Sequence, residues 1–338
     1  MHIGSIAAVA ELRAFLDSQY CELEEYLAFS GLEAAAAISL PGGVDLIPMT
    51  AVPESVLAIS LADPDWIYYG RNAKGHVRHK TVETLIKFGT ATWHTNPHVA
   101  MAALRIRFQR SPKVLATPVD FSNSLAKLLN IVRVLAAESC TAMFPVAHWI
   151  SATPTTPLWN YFAWSEWYHQ KWLRLFATTR GNEERIAARA AAWEALPEAV
   201  KSKLTIPLDR LNRALAAPLS VDCAIDLGLS LEALLLSDLG PNEQLSLAFR
   251  LRGAWLLGTT PAERKSLVRQ FKDIYRCRST AVHSGALPSD KCQVNGEKLS
   301  SDEFITKHAR SITASAILHV ISRGKFPEWG PLIIGAGE

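Results

Sequence analysis

No stretch of this chain approaches the ~18–20 uninterrupted apolar residues of a membrane-spanning helix, so no segment is expected to cross a bilayer and no membrane partner is expected. Cysteine is sparse and unpatterned: Cys21, Cys140, Cys223, Cys277 and Cys292 are scattered, odd in number and form no C-x-x-C. That spacing argues against a disulfide framework or a structural zinc site and suits a reducing, cytoplasmic setting. The opening "MHIGSIAAVAELRAF" lacks a basic start, and Glu11 interrupts its short apolar run, so no signal peptide is expected. Strong net charge is missing as well. Lys+Arg number 35 against 32 Asp+Glu, and the resulting +3 neither requires a nucleic-acid partner nor excludes one.

The chain also lacks a G-x-x-x-x-G-K-[ST] phosphate loop, a G-x-G-x-x-G turn and a G-x-S-x-G nucleophile elbow. ATP-driven, dinucleotide-dependent and serine-hydrolase chemistries are therefore disfavoured. Histidines cluster in "GHVRHK" (75–80) and "TWHTNPH" (92–98), but no carboxylate cluster, cysteine or H-E-x-x-H stands by to complete a ligand set. Neither a metal nor a cofactor is expected.

What is present is material for a core. The 338 residues are 49% apolar and 20% charged, enough for one large domain or two ordinary ones. Val9, Leu12, Leu16, Tyr20, Leu23 and Leu27 recur at helical steps and predict a helix over 5–29. "AAAAISLPGGVDLIPM" predicts two short strands around a Pro-Gly-Gly turn, and "SVLAISLADPDWIYYG" another strand and turn. Helical periodicity returns after Lys80 and is strongest at 121–137. "SATPTTPL" predicts a loop. "WNYFAWSEWYHQKWLRLF" predicts one helix whose aromatics fall all round it, a pattern of core or interface packing rather than a base-stacking platform. A charged helix is expected at 182–195, and "LPEAVKSKLTIPLDR" is the candidate domain boundary.

From Thr205 onward, helices are expected at 207–217, 220–237, 243–257, 261–283 and 302–323, with a polar hairpin-like insert at "LPSDKCQVNGEKLSSD". Ser220, Asn242, Thr260 and Ser301 stand where N-caps belong, and Pro261 suits a first helical position. The fold class expected is mainly α, a C-terminal helical bundle (205–338) preceded by an α+β or mostly helical N-terminal region (1–200).

One stripe breaks its own pattern. Leu267, Phe271, Ile274, Arg278 and Val282 step by four, three, four and four, so a guanidinium joins an apolar row. Burying it alone is costly, and a carboxylate or an anionic ligand should meet it. Glu232 is the candidate, on the stripe Ile225, Leu229, Glu232 and Leu236 of the helix at 220–237. The plain reading is a salt bridge that fixes helix register. His283 adds a second reading, since an imidazole in the last helical turn, before Gly285, can move protons. An arginine that stabilises a phosphate and a histidine that shuttles a proton can together cleave RNA without metal, through attack of the ribose 2′-OH. The two lie ~140° apart on one continuous helix, so a bend, a helix end or a second subunit must bring them together. Arg269, Lys272 and Arg276 offer phosphate contacts.

Arg278-Ser-Thr-Ala-Val-His283 resembles the R-x(4–6)-H motif of HEPN domains. "AIDLGLSLEALLL" (224–236), "FRLRGAWLLG" (249–258), "FKDIYRCRSTAVHSG" (271–285) and "GKFPEWGPLIIG" (324–335) resemble, in order, segments of the ApeA-like HEPN family. The resemblance covers about residues 205–335. It implies a helical domain that commonly dimerises and serves as an RNA-cutting effector in antiviral defence or toxin–antitoxin systems, with RNA as substrate and an antitoxin or defence protein as further partner. It places Arg278 and His283 in the catalytic motif, Glu232 in a supporting role and Ser279 at a position often polar. Ser284 departs from the pattern, because relatives frequently carry glycine directly after the histidine. The expected function is therefore a metal-independent endoribonuclease. Two alternatives are a non-catalytic HEPN module binding RNA, a nucleotide or a protein, and a helical structural or assembly protein.

Overall fold

The computed structural model describes residues 5–52, 69–71, 77–79, 102–110, 122–153, 161–163, 179–180, 182–240, 244–294 and 296–334. The chain forms two compact units: Met1–Leu129, Phe144–Lys171 and Ala177–Gly181 make the first, and Asn130–Met143, Trp172–Phe176 and Asn182–Glu338 the second. Among the described residues the chain is mainly helical with an antiparallel sheet, and no helix is long and apolar enough to cross a membrane.

The first unit is built on the sheet. Its strands are β1 (Cys21–Ser30), β3 (Ile38–Leu40), β4 (Val44–Pro48), β7 (Ala102–Arg110), β8 (Phe144–Thr153) and β9 (Tyr161–Ala163), in the order β3-β4-β7-β1-β8-β9. Among the described residues there are three further short strand pairs: β2 (Leu32–Glu33) beside β10 (Thr179–Arg180), β5 (Tyr69–Arg71) beside β6 (Val77–His79), and, in the second unit, β11 (Cys292–Val294) beside β12 (Glu297–Leu299). The expected Pro-Gly-Gly turn joins β3 to β4, with Gly42 and Gly43 both left-handed at φ 75° and 72°.

Four expectations need correction here. Helix α1 (Ser5–Asp17) ends early, and residues 21–30, expected to continue it, form the strand β1 inside the sheet. Leu23 and Leu27 are four apart, a step that helical and strand periods both satisfy. β1 is also buried on both faces, so it lacks the polar alternation that marks a half-exposed strand. Residues 102–110, within the region expected to turn helical, are the strand β7. Ser151–Thr153 extend β8 instead of opening a loop, and Tyr161–Ala163, expected in an aromatic helix, pair with it as β9. The remaining aromatics of that segment and the stretch 80–100 lie outside the described residues.

Each face of the sheet solves a different problem. On one, Glu24, Tyr26, Asp45, Arg105 and Arg107 meet across strands, with Arg105 2.9 Å from Asp45 and Arg107 3.0 Å from Glu24. On the other, the carboxylate of Glu25 accepts hydrogen bonds from Ser124 Oγ (3.0 Å), in the first turn of α2 (Ser122–Ser139), and pairs with His148 Nε2 (2.7 Å) on β8.

The second unit is helical. Its elements are the C-terminal part of α2, then α3 (Glu183–Glu194), α4 (Glu198–Ala216), α5 (Ser220–Leu235), α6 (Leu245–Leu257), α7 (Pro261–Ser284), α8 (Arg310–Arg323) and α9 (Trp329–Ile334). The expected boundary "LPEAVKSKLTIPLDR" lies largely within α4, which runs unbroken past Pro207. Burial of Leu204, Leu208, Leu211 and Leu215 along one face outweighs the hydrogen bond that proline removes. Ser230 on α5 donates to the Pro207 carbonyl at 2.8 Å.

Helix starts follow local chemistry, with small shifts. Thr260 caps α7 through a reciprocal capping box with Glu263, and Pro261 opens the helix. Ser220 is the first residue of α5 behind Leu219, and Gln244 precedes α6, while Asn242 lies outside the described residues. Ser300 rather than Ser301 is the cap before 301–303, where a π-helical stretch (Phe304–Ala309) then leads into α8. α6 crosses α7 closely at Gly253, where a Cβ would stand 2.4 Å from the Phe271 ring.

Candidate active site

The expected pair forms. Arg278 Nη2 on α7 donates to Glu232 Oε2 on α5 at 2.9 Å. Neither group is sealed, since the two side chains keep 24% and 23% of their surface. The apolar stripes on which they were placed are offset from the true inner faces. On α5 the buried positions are Cys223, Ala224, Leu227, Gly228, Ser230, Leu231, Leu234 and Leu235, flanking the expected Ile225, Leu229 and Leu236. On α7 they are Gln270, Phe271, Ile274, Cys277 and Ala281, and Val282 is half exposed in the last turn. Glu232 and Arg278 therefore occupy the edge of the α5–α7 seam, where a guanidinium keeps access to solvent.

Gly228, one turn before Glu232, makes this placement possible. A Cβ there would lie 2.2 Å from Arg278 Cγ and 2.7 Å from its Cβ. The bare backbone of α5 thus receives the aliphatic stem of Arg278, while Glu232 receives its head. Sequence reasoning missed Gly228; its only signal was a glycine inside an otherwise strong helical segment, which usually has a packing reason.

The electrostatics are unbalanced in an informative way. Burial raises the Glu232 carboxyl above its ordinary value, and the Arg278 charge and hydrogen bond only partly offset it. Among the described residues, the buried Arg278 Nε meets no hydrogen-bond partner. A guanidinium with one carboxylate contact and an orphaned N–H still has hydrogen-bonding capacity for a further anion.

His283 lies in the last turn of α7, exposed, before Gly285, whose left-handed φ of 67° closes the helix as expected. α7 is one α-helix from Pro261 to Ser284, so no bend reconciles His283 with Arg278, which stay ~140° apart around its axis. His283 instead shares a solvent face with Lys265, Arg269 and Lys272, all exposed and all within a sector of ~60°. Arg276 points to the same sector but is already engaged, by Asp273 at 3.1 Å and Asp290 at 2.9 Å. Ser279 is half-buried between the two faces.

The structure thus brings Glu232 and Arg278 together, sets His283 apart from them and aligns two of the three proposed phosphate-binding cations with His283. No protein-family model, characterised protein or solved structure matches the chain.

Proposed function

We propose that the chain is a metal-independent endoribonuclease of the HEPN class, acting as an antiviral defence effector or toxin. The observation that carries this reading is the Arg278 guanidinium, held at the seam edge by one carboxylate and with its buried Nε unpartnered among the described residues, on the helix that ends in an exposed imidazole. Arg278 would bind the scissile phosphate and stabilise the charge that grows on it. His283 would take the proton from the attacking 2′-OH or return one to the leaving 5′-oxygen. Glu232 would hold Arg278 in place between substrates. Because one unbroken helix keeps the two groups on different faces, the reactive pair would come from two copies of the chain, each supplying one group. Lys265, Arg269 and Lys272 would guide the RNA backbone along the His283 face.

The test is cleavage of single-stranded RNA by purified protein in EDTA. Expected products carry 2′,3′-cyclic phosphate and 5′-OH ends, and a 2′-deoxy substitution at the cleavage position abolishes the cut. Arg278→Ala and His283→Ala should each lower the rate by ~10²-fold or more, and mixing the two variants should restore part of it if the site is shared between copies. Equal cleavage by both variants would overturn the assignment. A non-catalytic HEPN module that binds RNA, a nucleotide or a protein is the second reading, favoured by the Glu232–Arg278 contact itself, which satisfies part of the arginine without any ligand. It predicts RNA retention without cutting.

A further inference from the structure

One cation of the α7 solvent face is stowed. Lys265, Arg269, Lys272 and His283 are exposed there, but Arg276, in the middle of the same sector, keeps only 27% of its side-chain surface. The insert that follows α7 draws its guanidinium aside. Nη1 donates to Asp290 at 2.9 Å, and Nη2 lies 3.5 Å from Cys292 Sγ at the start of β11. Asp273, one turn back on α7, adds a contact at 3.1 Å. At ~1.5 Å per residue, Lys272 and His283 stand ~16 Å apart along the axis. With Arg276 stowed, that interval of the face offers a polyanion no free cation among the described residues. With Arg276 turned out, the next cation stands ~6 Å beyond Lys272.

The carboxylate that holds Arg276 is firmly presented and loosely bound. Ser301, buried just after β12, donates its hydroxyl to the Asp290 carbonyl at 3.1 Å. Cys292 and Val294 bury the strand that follows, so the Asp290 backbone is fixed beside α7. The Asp290 side chain nevertheless keeps 78% of its surface. An ion pair with so exposed a partner is weak and screened by salt. The stowed arginine is also incompletely satisfied, since its Nε is buried and, among the described residues, meets no hydrogen-bond partner. Turning the side chain outward relieves that N–H. A phosphodiester then offers the two-oxygen acceptor that a guanidinium fits best.

We propose that Asp290 is a built-in competitor for the RNA backbone. In the free chain it occupies the Arg276 guanidinium. When a strand lies along α7, a phosphate takes that guanidinium, Asp290 is released to solvent, and the cationic row runs from Lys265 through Arg276 toward His283. The insert thereby acts as a brake on RNA engagement at the face that carries His283. This regulation rests on the reading of α7 as an RNA-binding helix, but not on cleavage.

The test is the affinity of the full chain for a single-stranded RNA with every 2′-hydroxyl methylated, which cannot be cut by 2′-OH attack. Fluorescence anisotropy at several salt concentrations reads it. Asp290→Asn should bind ~2–5-fold tighter than wild type at low salt. Its plot of log affinity against log salt should be steeper by ~0.7, because no released carboxylate offsets the phosphate contact. Both gains should vanish in an Arg276→Gln background. Equal or weaker binding by Asp290→Asn would overturn the proposal, as would the same gain in the Arg276→Gln background, which would make Asp290 a plain repulsive charge. Absence of binding by both wild type and Asp290→Asn would overturn it too. Cleavage of unmodified RNA is scored separately, so the expected gain in binding without cutting removes the nuclease and leaves the brake standing.

Discussion

Each unit of this chain draws a glutamate inward, and the two treat it in opposite ways. In the sheet unit, Glu25 keeps 1% of its surface and is met by an imidazole and a hydroxyl drawn from two other elements, β8 and α2. In the helical unit, Glu232 stays about a quarter exposed and, among the described residues, meets one guanidinium, whose Nε has no partner there. A carboxylate closed in by short contacts ties elements together. An arginine left partly free by its carboxylate can exchange that partner for an anion. The first arrangement suits a structural lock, and the second suits a ligand site.

Removing the two carboxylates in turn separates a structural lock from a ligand site most clearly. Glu25→Ala removes the carboxylate acceptor of the buried His148 Nε2 and one acceptor of the part-buried Ser124 hydroxyl, and among the described residues His148 Nδ1 has no hydrogen-bond partner to compensate. The expected cost is ~3 kcal/mol, read as a lower urea midpoint and as faster hydrogen exchange at the β1 and β8 amides, with α5 and α7 protected as before. Exchange spreading equally into α5 and α7 would show that Glu25 is not a lock confined to its own sheet.

A smaller effect is expected from Gly228→Ala. The new methyl would enter the space of Arg278 Cβ and Cγ, which sit at the root of the side chain and cannot swing away without moving the guanidinium. Overpacking of about 1–3 kcal/mol is set against about 1 kcal/mol gained by replacing glycine in a helix, so the net cost to stability should be ~1 kcal/mol. If Arg278 is catalytic, RNA cleavage should fall far more than stability does. Full activity with Ala at this position would remove Arg278 from the proposed mechanism.

These two sites differ also in how far the sequence announced them. Glu232 and Arg278 could be paired in advance because each is a charge inside a strongly apolar helical segment, and their contact is the expected one. Their depth could not. α5 is apolar nearly all round ("LGLSLEALLL"), so several stripes fit it, and only the packing partners decide which is innermost. α6 and α7 were readable because Phe249, Phe271 and Ile274 keep a helical period, and Thr260, Pro261 and Gly285 punctuate it. The Glu25–His148 lock stayed hidden, since its partners are 123 residues apart and β1 mimics a helix through the Leu23–Leu27 step. Gly228 carried no sign of its partner, because close approach is a property of two helices together.

The smallest predicted effect concerns the proton on Glu232. Burial raises its folded-state value above that of the unfolded chain, so the native protein holds this proton more tightly. Stability from this group is therefore complete below the ordinary glutamate range, near pH 4.5 in the unfolded chain, and is lost as pH rises through the higher folded-state value. Glu232→Gln retains an oxygen acceptor for Arg278 and removes the titration, so the variant's stability should fall less steeply than wild type above pH 4.5. Urea midpoints measured at intervals upward from pH 4 would show the two curves separating as wild type loses ground. Parallel curves would mean that the Arg278 charge and hydrogen bond fully offset burial. The pair would then be as closed as the one in the sheet, and the contrast between a lock and a ligand site would fall with it.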